Sequence, residues 1–262
     1  MGAEHSSSLE QIAAMARRSI RRTFRQRGLL IFPMVFPLIL FAINGSALKA
    51  ATLIPGFPPV SYRAFAFAVP FMQGALFIST TAGIDLARDI ESGFFNRLSL
   101  TPLRGSALLL GQLGGAIVVA CVQSIVYLLV GLAWGVGIAS GVGGAFLLLA
   151  LTLLIAFGFA GLGTLVALRF GNGEAVQAFF PLFFVTLFLS SSSLPRSLMK
   201  EHWFRDIATY NPVSYLIEGI RSLIITGWNA QALELGFGFA LALALISLSA
   251  SSFAMRHRMA RT

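Results

Sequence analysis

The sequence predicts an all-α integral membrane protein with six transmembrane helices. Hydrophobic residues make up 56% of the chain and charged residues only 11%, whereas soluble domains carry about 25% charged residues. Six stretches have the length, about 20 residues, that a helix needs to cross a hydrocarbon core of ~30 Å. These stretches are residues 28–48, 61–84, 106–131, 143–168, 175–194 and 233–253. Inside lipid a helix pairs its own backbone N–H and C=O groups, so each stretch is predicted to be helical.

A basic arm, residues 1–27, comes before the first span. Its apolar side chains recur at steps of three and four residues, at Leu9, Ile12, Ala16, Ile20 and Phe24. Its other side carries Arg17, Arg18, Arg21 and Arg25. The pattern predicts an amphipathic helix in the cytoplasmic membrane interface, although a simple basic anchor explains the charges equally well. We therefore divide the chain into the arm, a transmembrane domain at 28–253 and a cytoplasmic tail at 254–262.

The basic residues also predict an orientation. The net charge is +9, which in a membrane protein indicates topology and contacts with membrane lipids rather than with nucleic acid. With six crossings, 13 of the 19 Lys and Arg residues lie on the side of both termini and 6 lie opposite. Because positive charge collects on the inner side, we expect both termini in the cytoplasm.

Prolines and amides interrupt the apolar spans. Prolines occur at Pro33, Pro37, Pro70 and Pro181. Each removes a backbone donor, so the helix kinks unless a neighbour satisfies the carbonyl that is left free. The polar residues within or near spans are Asn44, Gln73, Gln123 and Gln177. Such residues usually form hydrogen bonds between helices, and the alternative is that they line a substrate cavity.

The loop after the second span, residues 85–102, has the pattern of a short amphipathic helix. Its apolar stripe is Leu86, Ile90, Phe94 and Leu98, and its polar side is Arg88, Asp89, Glu91, Ser92, Asn96 and Arg97. We expect this helix to lie along the membrane with its polar side toward the cytoplasm. It is either a docking surface for a soluble partner or a plain interfacial connection.

The loop before the last span contains a second helix signal. Asn211 is a good N-cap for a helix whose first residue is Pro212. Ser214, Glu218 and Arg221 then fall on one face of that helix.

Several kinds of chemistry have no motif in the chain. No glycine loop of the P-loop type precedes either lysine, Lys49 or Lys200, so ATP-driven work would need an ATPase on another polypeptide. The three histidines are far apart in sequence and Cys121 is a single cysteine, which predicts neither a metal site nor a disulfide. We therefore do not expect an enzyme, and we expect no cofactor bound by this chain.

Two motifs resemble those of type-2 ABC exporter permeases. In the first loop the matching residues are Glu91, Gly93, Arg97, Leu98, Thr101, Pro102 and Leu103, while Phe94, Phe95 and Asn96 depart from the pattern. In the second loop the segment 193–195, Trp203, the segment 210–215, Glu218 and Arg221 are similar to the external re-entrant segment of that family. The resemblance extends over nearly the whole chain, including the basic arm and the placement of the loops.

The resemblance implies roles for both loops. The first would be a coupling helix on which an ABC ATPase subunit docks, through Asp85, Arg88, Asp89, Glu91, Gly93, Arg97, Thr101 and Pro102. The second would be an external re-entrant motif containing Asn211, Pro212, Tyr215, Glu218 and Arg221. The ATPase would bind ATP and Mg, and a second permease copy or a paralogue would complete the transporter.

The same resemblance implies the export of a hydrophobic or amphiphilic substrate, such as a drug, an antibiotic, a lipid or a lipid-linked glycan, across a bacterial plasma membrane. Export in this scheme starts from the cytoplasm or from the inner leaflet. An ATP-independent secondary carrier or channel is the alternative.

Overall fold

The computed structural model describes residues 15–21, 27–93 and 105–259. Within these ranges every regular element is a helix, as the sequence predicts. The helices are α1 (15–21), α2 (Arg27–Ala47), α3 (Tyr62–Ala66), α4 (Ala68–Glu91), α5 (Gly105–Ala133), α6 (Gly141–Phe170), α7 (Gly173–Phe188), α8 (His202–Tyr210), α9 (Pro212–Ile225) and α10 (Ala230–Met259). Two short 3-10 helices, Lys49–Leu53 and Arg196–Leu198, lie in the connections.

Each predicted span coincides with an apolar helix of the described chain, but the helices differ in length. Four are long and apolar enough to cross a membrane: Tyr62–Glu91, Leu109–Ala133, Gly141–Phe170 and Ala230–Arg258. The first of these combines α3 and α4. The apolar stretches Ile31–Ala47 and Gly173–Phe188 are shorter. The structure is therefore that of an all-α membrane protein with four long spans and two shorter apolar helices.

Two predicted boundaries are wrong, each for a packing reason. The second span was predicted to end at residue 84 and to be followed by a separate helix along the membrane. Instead residues 85–91 continue α4, because Leu86 and Ile90 still pack into the core. The fifth span was predicted to reach residue 194, but α7 ends at Phe188. Beyond it Ser190, Ser191 and Ser192 are buried in turns, where serine hydroxyls satisfy backbone groups outside a helix.

Contacts between helix ends define two opposite ends of the bundle. At one, which we call the Asp89 end, Asp89 of α4 contacts Arg18 of α1, and Arg258 of α10 donates to the carbonyl of Leu168 on α6. At the other, the Arg221 end, Arg221 of α9 donates to the carbonyl of Phe65 on α3. Helix α9 lies at this end, and α8 directly precedes it with Asn211 between the two.

Glycines allow α4 and α6 to approach closely. A Cβ atom on Gly163 of α6 would lie 1.8 Å from the carbonyl oxygen of Ser79 on α4, and one on Gly83 would lie 2.6 Å from the carbonyl oxygen of Gly163. No side chain fits at such distances, so this contact requires glycine on both helices.

The prolines of α2 create a polar link to α5. Pro37 has no N–H, so the carbonyl of Pro33, four residues earlier, loses its helical partner. Gln123 Nε2 and Tyr127 Oη of α5 donate to that carbonyl at 2.8 and 2.9 Å. The expectation that a neighbour satisfies the freed carbonyl is confirmed here.

Candidate functional site

A buried ion pair anchors the Asp89 end of α4. Asp89 is only 6% exposed, and Arg18 of α1 donates to both of its carboxylate oxygens at 3.1 Å. Gln112 of α5 adds a third hydrogen bond at 3.2 Å, and Ser19 donates to the Gln112 carbonyl at 2.9 Å. A buried carboxylate is stable only with such a set of partners. The cluster therefore joins α1, α4 and α5 into one unit.

This cluster corrects two sequence predictions about side-chain direction. Asp89 was predicted on a polar side facing the cytoplasm, and Arg18 on the polar side of the arm; instead they face each other. The reason is that α1 packs on α5, where Ala16 lies against Gly114, which turns Arg18 toward α4. Asp89 is thus buried away from any docking partner.

Other candidate docking residues stay near the surface of the last turns of α4. Arg88 and Glu91 are exposed, and Arg88 lies 3.9 Å from Asp85. Gly93, with φ of +67°, ends the helix in the left-handed conformation that favours glycine. Leu86 and Ile90 are buried, as their place in the apolar stripe predicts. Phe94, Phe95, Asn96, Arg97, Leu98, Thr101 and Pro102 lie outside the described residues.

The end of α4 also contacts the start of α7. Glu91 Oε1 accepts a hydrogen bond of 3.0 Å from the backbone N–H of Gly173. Asn172 caps the same helix, its side chain accepting from the N–H of Ala175 at 2.8 Å. Two of the first orphan donors of α7 are thereby satisfied.

A cavity of 180 Å³ lies between α2, α4 and α7. Its lining includes Phe41, Asn44, Tyr62, Gln73, Phe188 and Ser192. Two of the four predicted cavity residues, Asn44 and Gln73, are therefore brought together. Gln73 Oε1 is buried without a hydrogen-bond partner among the described residues. We call this space the α2–α4–α7 cavity.

The other two predicted cavity residues lie elsewhere. Gln123 is buried between α2 and α5 and contacts Tyr127 and the Pro33 carbonyl, which is the helix-to-helix role that polar span residues usually have. Gln177 is exposed near the start of α7 and does not line the α2–α4–α7 cavity.

At the Arg221 end, the predicted cap of α9 is confirmed. Asn211 Oδ1 accepts from the N–H of Val213 at 2.9 Å, and Pro212 is the first helical residue. Asn211 Nδ2 also donates to the carbonyls of Thr186 and Leu189 at 2.6 and 2.9 Å. One side chain thus begins α9 and holds it against the end of α7.

Arg221 is a buried cation that joins three segments. It is 5% exposed and donates to the carbonyls of Phe65 and Ser192 at 3.0 and 3.1 Å. Its guanidinium carbon lies 3.7 Å from the centre of the Phe65 ring, within cation–π range. Burial lowers the pKa of Arg221 to about 10 while Glu218 opposes the shift, so the side chain is charged at neutral pH.

Ser214, Glu218 and Arg221 share α9 but have separate partners. Glu218 binds Arg196 through hydrogen bonds of 2.9 and 2.6 Å. Ser214 donates to the carbonyl of Ala208 at 2.6 Å. Arg196 lies over the ring of Tyr215, 4.5 Å from its centre. Arg196 and Gln112 are the residues that sequence reasoning missed, since neither stands in a local pattern with its partner.

Within the described ranges, no three His, Cys, Asp or Glu side chains group closely enough to hold a metal ion. At both ends an arginine side chain joins neighbouring segments, Arg18 through Asp89 and Arg221 through the carbonyls of Phe65 and Ser192, and a cavity lies between α2, α4 and α7. Such an arrangement can transmit motion between the ends of a bundle and enclose a small molecule.

Comparison with known proteins decides the family. The sequence model described as ABC-2 type transporter matches residues 10–225. The chain belongs to the ABC-2 type transporter family. It is a transport permease component and a multi-pass membrane protein, as the resemblance in its two loops indicated.

Two curated relatives of this ABC-2 permease carry a matching description. Each is a "putative transport permease ycf38". The one from Porphyra purpurea is 24% identical over 223 residues, which is 84% of this chain and 76% of the relative. The one from Pyropia yezoensis is 24% identical over 226 residues, which is 85% of this chain and 77% of the relative. The aligned length takes in most of the permease.

Proposed function

We propose that this ABC-2 permease is the membrane-spanning subunit of an ATP-driven exporter whose ATPase is a separate subunit. The observation that carries the proposal is the construction of the Asp89 end. Exposed Arg88 and Glu91 lie on the same two turns of α4 as Asp89, which is fixed to α1 and α5. A partner that pushes these exposed charges therefore moves a braced helix end rather than a loose loop.

The energy for transport comes from the partner in this proposal. The chain has no P-loop motif, so ATP and Mg bind on the ATPase subunit. ATP shifts the permease between arrangements only if it binds one of them more tightly than the other. When the end of α4 moves, the movement reaches α7 through the hydrogen bond of 3.0 Å between Glu91 Oε1 and the N–H of Gly173. Both α4 and α7 border the α2–α4–α7 cavity.

The cavity lining supports an amphiphilic, uncharged substrate. Phe41 and Phe188 offer apolar surface, while Asn44 and Gln73 offer hydrogen bonds. No charged residue is among the described lining residues, so a charged group would enter without compensation. A hydrophobic drug, antibiotic or lipid with a neutral polar group fits this chemistry.

A second permease copy or a paralogue would complete the assembly. Helices α2 and α7 border the cavity and also keep apolar side chains exposed, among them Phe32, Val35, Leu182 and Val185. A second permease packed on this face would close the cavity from the side.

The location that we propose is a bacterial plasma membrane, with both termini in the cytoplasm and membrane lipids around the bundle. The excess of Lys and Arg on the side of the termini supports the orientation. The Asp89 end is then cytoplasmic, where a soluble ATPase reaches Arg88 and Glu91.

Copurification with the P-loop ATPase tests the docking step. Glu91→Lys and Arg97→Glu each reverse a charge on the proposed docking segment, and we expect each to reduce recovery of the ATPase about tenfold or more, since like charges then oppose each other across the contact. Glu201→Lys is the matched control, because Glu201 is exposed at the opposite end. Equal recovery of the ATPase with all three variants would refute docking. Transport by vesicles that contain this chain alone would instead favour a secondary carrier or channel.

A further inference from the structure

The Arg221 end contains two further cavities beside the α2–α4–α7 cavity, and each shares one lining residue with it, Phe41 or Tyr62. One of 210 Å³ is lined by Phe41, Gly45, Ser46, Arg63 and Trp134. The other, of 240 Å³, contains Lys49, Ser61, Tyr62, Arg63 and Trp134. Both share Gly45, Arg63 and Trp134, so they form one open pocket, which we call the Arg63 pocket. Each part is several times the ~30 Å³ that a water molecule takes up in the liquid.

The charge of the Arg63 pocket is positive without compensation. Arg63 and Lys49 are both exposed, and no acidic residue lines either part. Neither cation forms an ion pair with any residue of the described chain. Two cations that face one space without an acid are suited to bind an anion.

The walls of the pocket supply further donors and a fixed geometry. The Ser61 hydroxyl accepts from the N–H of Ala64 at 3.2 Å, which leaves its own hydrogen free to donate into the pocket. A Cβ on Gly45 would lie 3.1 Å from Arg63 Cγ, so the arginine stem rests directly on the backbone of α2. Trp134 stacks on Phe41 with ring centres 5.5 Å apart, which holds its indole at the pocket edge.

The pocket lies at the ends of two spans, and this position indicates which anion it binds. Arg63 lies at the start of the span Tyr62–Glu91, and Trp134 directly follows the span Leu109–Ala133. Tryptophan and arginine at span ends lie at the level of lipid headgroups. At that level the abundant anion is the phosphodiester of a phospholipid, with Phe41 and Trp134 beside its acyl chains.

We propose that the Arg63 pocket binds a phosphate group, and that an anionic phospholipid supplies it. Arg63 and Lys49 pair with the phosphate oxygens, Ser61 donates to one of them, and Trp134 packs on the glycerol and the first methylenes. The site is distinct from the transported substrate's cavity, and its occupancy does not depend on an ATPase partner.

Native mass spectrometry of the purified full-length chain tests the proposal. The probes are phosphatidylglycerol, diacylglycerol with the same acyl chains, and inorganic phosphate. We expect retained phosphatidylglycerol and little retained diacylglycerol. In the double variant Lys49→Gln/Arg63→Gln, retention of phosphatidylglycerol should fall about tenfold or more, as the loss of two charge-assisted contacts predicts.

The matched control is Lys200→Gln/Arg205→Gln, which removes the same charge from the Arg221 end outside the pocket, and it should retain lipid like the unaltered chain. Direct binding of inorganic phosphate, lost in the pocket variant only, would support the phosphate site with free phosphate as its source. Equal lipid and phosphate binding by the pocket variant, the control and the unaltered chain would overturn the proposal. The variants change exposed side chains at Lys49, Arg63 and Lys200 and a half-exposed one at Arg205, and an unchanged melting temperature verifies that they fold.

Discussion

Glu91 Oε1 accepts a hydrogen bond of 3.0 Å from the backbone N–H of Gly173, so the last residue of α4 contacts the first residue of α7. The carboxylate also lies at the N-terminus of α7, where the helix dipole favours negative charge. The residue that the sequence analysis assigned to docking is therefore also a link within the chain. A displacement of the end of α4 would reach α7, and with it the cavity wall.

We expect Glu91→Ala to loosen the start of α7. Amide exchange over residues 173–177 should become about 2- to 10-fold faster, the change that the net energy of one hydrogen bond gives. Glu91→Gln keeps an acceptor oxygen and should leave exchange nearly unchanged. Hydrogen exchange followed by mass spectrometry measures both, with Glu201→Ala as the control. Equal exchange in the Ala and Gln variants would show that Glu91 does not cap α7.

Removal of Arg18 should destabilise the Asp89 end. Arg18→Ala leaves a buried carboxylate with reduced compensation, and we expect a loss of about 1–3 kcal/mol of unfolding free energy, the usual cost of an unsatisfied buried polar group. Arg17→Ala, an exposed neighbour on α1, should change stability little.

The double variant Arg18→Ala/Asp89→Asn removes the charge together with its partner. It should recover part of the stability that Arg18→Ala loses. Thermal unfolding in detergent compares the unaltered chain, Arg18→Ala, Asp89→Asn and the double variant. If Asp89→Asn adds its full destabilisation to that of Arg18→Ala, the two residues are not coupled.

The link between α2 and α5 predicts a rescue. Gln123→Leu/Tyr127→Phe removes both donors to the Pro33 carbonyl, so we expect about 1–3 kcal/mol of destabilisation from the orphaned acceptor and the lost contacts. Adding Pro37→Ala restores an N–H at the position from which a regular helix would donate to that carbonyl. Melting temperatures should fall in the double variant and rise again in the triple variant. A triple variant no more stable than the double variant would contradict this explanation.

Arg221 should tolerate neither a neutral nor a lysine substitution. Arg221→Met loses hydrogen bonds to Phe65 and Ser192, and we expect a stability loss of about 1–3 kcal/mol. Arg221→Lys keeps the charge but not the planar guanidinium that reaches both carbonyls. Its stability should therefore lie between that of Arg221→Met and that of the unaltered chain. Arg205→Met, at a half-exposed arginine of the same end, is the control for thermal unfolding. Indistinguishable melting of Arg221→Met and the control would show that the buried contacts carry little stability.

The features that the sequence predicts correctly are local ones. Each apolar stretch has the length and composition of a helix in lipid. Asn211 followed by Pro212 is a pair of adjacent residues that is typical of a helix start. The freed carbonyl at Pro33 also follows from one proline four residues away. These inferences depend on the chain within a few turns, which the sequence displays directly.

The features that it predicts wrongly or misses depend on distant residues. Asp89 and Arg18 are 71 positions apart, and Arg196 and Glu218 are 22 apart, so no periodic pattern connects them. From the sequence alone, a charged residue next to a span is predicted to be exposed to solvent. The buried pair follows only from the packing of α1 on α5. The end of α7 at Phe188 likewise depends on distant residues. Asn211, the cap of α9, donates to the carbonyls of Thr186 and Leu189, and Ser214 of α9 accepts from the N–H of Ser191.

The central claim is that an ATPase bound at the Asp89 end moves the walls of the α2–α4–α7 cavity. Spin labels at Ile43 of α2 and Val185 of α7, both exposed, report the distance across this face once the single Cys121 is replaced by Ser. Electron–electron resonance on the complex should show a shifted distance distribution when ATP is added, and no shift for the permease alone. An ATP-bound complex with the same distances as the nucleotide-free complex would contradict the account.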